Sequence, residues 1–149
     1  MFECDIEGLI GWSHRTNQSL DITLQHLREV RRSMLRLHKA LLDSERTQYE
    51  QIYGRIESNG EFLRLVIGHE WFNWLHPISQ LIVQIDEVIF SKEPITLEEA
   101  NALLDAAQKL LQPNNEGTIL EQRYFHAIQR DPDITLMHVE LSQMLNSER

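Results

Sequence analysis

Between residues 18 and 54 apolar side chains recur every three or four positions, and this run constrains the fold more than any other feature of the chain. At about 100° per residue, with Leu27 as origin, Leu20, Met34, Leu37, Leu41 and Ile52 fall within about 80° of that origin and Val30 at about 60°. One long helix with a single apolar stripe accounts for this spacing. Gly54 supplies its C-terminal stop, because glycine adopts the left-handed conformation that ends helices at little steric cost.

The remainder also reads as helical, and no alternating strand pattern of useful length occurs. Residues 55–60 form a turn in which Ser58 or Asn59 can cap the next helix. Residues 60–90 make a second helical segment, kinked or broken between Gly68 and Pro77, since proline is disfavoured inside a helix but accepted in its first turn. Its second half carries Ile78, Leu81, Ile82, Ile85, Val88 and Ile89, a face wide enough to suggest the most central helix of the fold. Thr96 and Glu99 have the spacing of a capping box before a helix at 97–111. Helices at 118–130 and 132–146 complete the chain, either one kinked rod or two pieces divided at Pro132, where Asp131 reads as the N-cap. The expectation is an all-α protein: an antiparallel bundle of about four main helices, the second kinked near Pro77 and the last open to division at Pro132. Residues 1–16, interrupted by Gly8 and Gly11, read as an N-terminal arm or short helix that lays Trp12 on the body. Residues 17–149 read as a single bundle domain.

The 149 residues carry a net charge of −9, which argues against a nucleic-acid or anionic-membrane surface. That charge is uneven. Residues 20–57 hold seven bases and six acids, whereas residues 93–149 hold four and ten. Arg28, Arg32, Arg36 and Lys39 lie opposite the apolar stripe and read as a solvated face, steadied by pairs such as Lys39–Asp43 and Arg46–Glu50. An acidic start without a basic leader, and no apolar run of bilayer length, make the expected location cytoplasmic. The single cysteine, Cys4, lies between two acids, which disfavour its thiolate.

Motif-borne chemistry is missing. None of the seven histidines (His14, His26, His38, His69, His76, His126 and His138) pairs with another at the i, i+4 spacing, and no glutamate precedes a histidine by three positions. His69-Glu70 begins a zincin pattern, but Asn73 stands where its second histidine would be. No phosphate loop or nucleophile elbow occurs. No catalytic residue, metal ligand or cofactor is therefore assigned, and the chain reads as more consistent with a non-enzyme.

Two places invite attention as ligand or partner candidates. Arg31, His38 and Glu45 interrupt the apolar seam of the first helix at heptad spacing. They read as a polar network with a group opposite, or as a pocket. The run from His69 through Trp71, Phe72 and Trp74 to His76 packs aromatic and imidazole side chains around the helix break. It reads as a plug for the bundle, a binding site, or a partner surface.

Two segments, His38 to Glu50 and Trp71 to Glu87, resemble a group of small uncharacterised bacterial all-helical proteins that share a Trp-x-x-Trp-Leu-x-Pro-(Leu/Ile)-Ser core and an Ile-Asp-Glu ending. The likeness covers about residues 35–145 and rests on His38, Glu45, Trp71, Trp74, Pro77, Ser79 and Asp86. It implies a helical fold and supplies no catalytic residues. The functional expectation is a non-enzymatic bundle acting through self-association or another protein, with neither nucleic acid nor membrane as partner. The alternative is a small-ligand or metal-binding bundle, its site near Trp71–His76 or His38.

Overall fold

A computed structural model describes the backbone from residue 2 to residue 147 and the side chains from residue 18 to residue 147. Six α-helices and one 3₁₀ turn make up the described chain, with no strand among the described residues: α1 (Phe2–Tyr53), α2 (Asn59–Gly68), the 3₁₀ turn (Glu70–Leu75), α3 (His76–Ile89), α4 (Leu97–Leu110), α5 (Ile119–Arg130) and α6 (Pro132–Asn146). The all-helical expectation holds. Of the kink or break expected between Gly68 and Pro77, the structure has the break: two helices joined by the 3₁₀ turn, with Pro77 in the first turn of α3. The last segment is likewise divided, Asp131 capping α6 by accepting from the Asp133 amide at 3.0 Å.

The first helix begins earlier than its stripe suggests. It runs unbroken from Phe2, through Gly8 and Gly11, to Tyr53. The expected docking of Trp12 lies outside the described side chains. Gly54, at φ +96°, ends the helix as its sequence position implies.

The stripe is buried at Leu27, Val30, Met34, Leu37 and Leu41, but Ile52 is 63% exposed. The chain turns away at Gly54, and Ile56 is the residue that folds back into the interior. α1, rather than α3, is the hub. It packs against α3, α4, α5, α6 and the 3₁₀ turn, whereas α3 packs on α1, α4 and the turn. The wide face of α3 is spent between two helices, with Ile78, Leu81, Ile82 and Ile85 buried. From the C-terminal half come Leu104, Ala107, Tyr124, Ala127, Ile134 and Leu141, completing one continuous core.

The capping box is displaced too. Thr96 accepts from the Glu99 amide at 3.1 Å, but the reciprocal pair forms at Thr118 and Glu121. Gly117 makes room for the box at Thr118. A Cβ there would lie 2.8 Å from the Glu121 carboxylate, so glycine leaves the space through which Glu121 reaches the Thr118 amide at 3.0 Å. Those hydrogen bonds to Thr118 hold the Glu121 carboxyl below its ordinary pKa.

Candidate functional site

The tight winding of the 3₁₀ turn distributes the aromatic run in several directions. His69 caps the turn, its Nδ1 accepting from the Trp71 amide at 3.0 Å. Phe72, Trp74 and Leu75 point into the core. Trp74 is 5% exposed and its indole N–H is buried without a hydrogen-bond partner, so it serves as packing. His76 faces back toward α2, its Nε2 2.9 Å from the carbonyl of Val66. Tyr49 and Tyr53, at the end of α1, lie 4.7 Å apart and set their rings against His69 and Trp71 at centroid distances of 5.3–6.3 Å. Phe72 joins the cluster through Tyr49 at 5.7 Å, and Phe62 of α2 stands edge-on to Phe72 at the same distance.

Trp71 is different. Half-buried, it bridges three elements. Its indole N–H donates to the carbonyl of Glu45 on α1 at 3.2 Å, and the guanidinium of Arg123 on α5 lies over its ring at 4.7 Å. Beneath it the carboxylate of Glu45, only 3% exposed, receives two cations. Arg123 donates through Nη2 to Oε2 at 3.1 Å, and Arg130 donates through Nη2 to Oε1 at 3.2 Å. The same Arg123 nitrogen also donates to the Trp71 carbonyl at 3.4 Å, while Arg130 donates to Ser44 Oγ from Nε and Nη2 at 3.2 and 2.8 Å.

Local structure dictates this clasp. Arg123 and Arg130 are seven residues apart on α5, two turns that return to the same face about 10 Å further along. A carboxylate lying between them satisfies one arginine with each oxygen. Glu45, Gln48, Trp71, Arg123, His126 and Arg130 line a hollow of about 120 Å³ that opens to solvent. His126 is itself held by Asn115, Nε2 to Oδ1 at 2.9 Å.

The polar seam of α1 is therefore three separate contacts rather than one network. Arg31 pairs with Asp86 of α3 and lies over Phe90 at 5.4 Å. His38, half-buried one heptad on, has its pKa lowered by burial and, less strongly, by the neighbouring charge of His76. Glu45 meets the α5 arginines. On the opposite flank, His138 Nδ1 lies 2.7 Å from the hydroxyl of buried Tyr124, and Ser142 Oγ lies 3.4 Å from its Nε2. Burial lowers the His138 pKa and raises that of Tyr124, which keeps the phenol protonated.

Of the six candidate residues, then, Glu45 and Trp71 share one hollow and His69 adjoins Trp71. His38 and His76 meet elsewhere, and Trp74 is core. Arg123 and Arg130 are the members sequence reasoning did not find. Their signal was present: a carboxylate on an apolar seam needs a cation, and α5 carries two on one face. Among the described residues no three His, Cys, Asp or Glu side chains gather in a way that could hold a metal, and no helix is long and apolar enough to cross a membrane. Compared with protein families, curated proteins and solved structures, the chain finds no match.

Proposed function

We propose that this chain is a non-enzymatic helical-bundle protein that works by self-association, with the outer face of α2 as its contact surface. The observation that carries the reading is the state of α2. It has ten residues, five of them apolar, and none of the ten is buried. Phe62, Leu65 and Val66 lean on the core, while Leu63 and Ile67, one turn apart, are 59% and 65% exposed. Ile52 and Tyr53, 63% and 58% exposed, add apolar surface at the adjoining end of α1. A helix this short is marginal without packing on its apolar side chains, and exposed apolar patches of this kind mark association surfaces.

Charge favours a second copy as the partner. Two chains at −9 repel, but residues 52–68 hold Arg55 and Arg64 against Glu57 and Glu61, a balanced patch. A two-fold contact there joins two patches that carry no net charge, so the repulsion between the chains is not concentrated at the contact.

Sedimentation equilibrium from low micromolar to near-millimolar protein tests this. The expected result is a dimer that the double variant Leu63→Glu/Ile67→Glu converts to monomer with unchanged helicity, since both positions face solvent. A strict monomer throughout the range, or a dimer indifferent to the double variant, overturns the proposal.

A further inference from the structure

The hollow above Glu45 has a property that the ion pairs alone do not require. We infer that it is a binding site for a small oxyanion group, a phosphate or a carboxylate, seated on Arg123 and Arg130 against Trp71.

Consider the charge first. One carboxylate faces two guanidiniums, so the cluster carries a surplus positive charge within a chain of net charge −9. Glu45 lies beneath the surface, at 3% exposure, whereas the Arg123 and Arg130 side chains are 34% and 30% exposed. The negative charge is thus the covered one, and the positive charges border the opening.

Donor capacity points the same way. A guanidinium carries five N–H donors. Arg123 engages Glu45 and the Trp71 carbonyl through Nη2, and Arg130 engages Glu45 and Ser44 through Nε and Nη2. Nε and Nη1 of Arg123 and Nη1 of Arg130 take no part in those bonds. The forks are held at fixed positions by Glu45, Ser44 and the Trp71 ring, so little side-chain entropy remains to be lost on binding.

Size sets the class. About 120 Å³ is well below the roughly 300–1,000 Å³ of pockets that enclose drug-sized ligands, so the hollow takes a head group rather than a whole metabolite. Gln48 at the wall offers an amide that can donate to such a group.

The test is titration calorimetry with inorganic phosphate and with acetate, against chloride at matched ionic strength, read in parallel by indole emission. Saturable binding of either oxyanion with no chloride response is expected, and which of the two saturates identifies the head group. Gln48→Glu leaves every contact to Glu45 in place but puts a second carboxylate in the hollow, and is expected to weaken binding at least tenfold. Arg130→Lys keeps the charge and loses the fork, and is expected to weaken it several-fold. Trp71→Phe is expected to remove most of the emission change while heat is still released. Absence of saturation by both anions, an equal response to chloride, or unchanged affinity in Gln48→Glu overturns the assignment. Repeating the titration on Leu63→Glu/Ile67→Glu separates this site from the association surface, because the expected binding is the same in that variant.

Discussion

Replacing Glu45 with glutamine tests the clasp on which the α1–α5 contact depends. The side chain keeps its shape and loses its charge, so packing is conserved while both ion pairs are weakened. Each charge-assisted hydrogen bond contributes about 1.5–3 kcal/mol, and removing one partner of a fully buried pair costs about 3–5 kcal/mol. Here Glu45 is buried, but both arginines are about one-third exposed and recover part of their hydration when released, which lowers the cost. The glutamine carbonyl can still accept from one arginine, while its amide faces the other cation unfavourably. The expected net loss is about 2–3 kcal/mol. At about 2–4 °C per kcal/mol for a domain of this size, the thermal midpoint falls by about 4–12 °C. Urea unfolding followed by far-ultraviolet circular dichroism measures the loss, with the m-value expected unchanged because the same surface is exposed. A cycle with Arg130→Gln is expected to return a coupling of about 1 kcal/mol or more. A loss under about 0.5 kcal/mol, or a coupling within error of zero, would refute the reasoning by showing Glu45 energetically idle.

Two further outcomes complement the association and oxyanion experiments. Gly54→Ala is expected to cost about 1–2 kcal/mol in urea unfolding through backbone strain alone, because φ is +96° and nothing lies within 4 Å of the added methyl; a neutral result would mean the turn relaxes freely. Stability is expected to fall as the pH drops below 6.5. The unfolded chain protonates His38 and His138 there, while the folded chain, with both pKa values lowered, holds them neutral, so the loss levels off once the folded values are passed. The urea midpoint between pH 7.5 and 5.5 checks this, and His38→Gln/His138→Gln is expected to flatten the profile; a midpoint that rises on acidification contradicts the burial argument.

Helices and their ends were legible because they depend on neighbours in sequence. Gly54, Ser58, Asp131 and Pro132 act where local backbone chemistry places them. The Lys39–Asp43 and Arg46–Glu50 pairs, one helical turn apart, also form as their spacing indicates. Misplacements arose where a second element decides. Ile52 satisfies the α1 periodicity, yet no element covers it. Periodicity gives a residue's phase around the helix and carries no information on how far along the axis the neighbours extend. The full box at Thr118–Glu121 also relies on the space above Gly117, a feature outside the four-residue motif.

The same division holds for the candidate site. Sequence alone determined that α1 would carry one apolar stripe, interrupted by Arg31, His38 and Glu45, and that an aromatic run would surround the break before Pro77. Helical phase and backbone propensity suffice for both. Which partner met each interruption was decided only by the tertiary structure. Asp86 lies 55 positions from Arg31, and Arg123 and Arg130 lie 78 and 85 positions from Glu45. Pairings at such separations follow from how α3 and α5 dock on α1, and docking is set by the shape of the whole packed core rather than by any local run of residues.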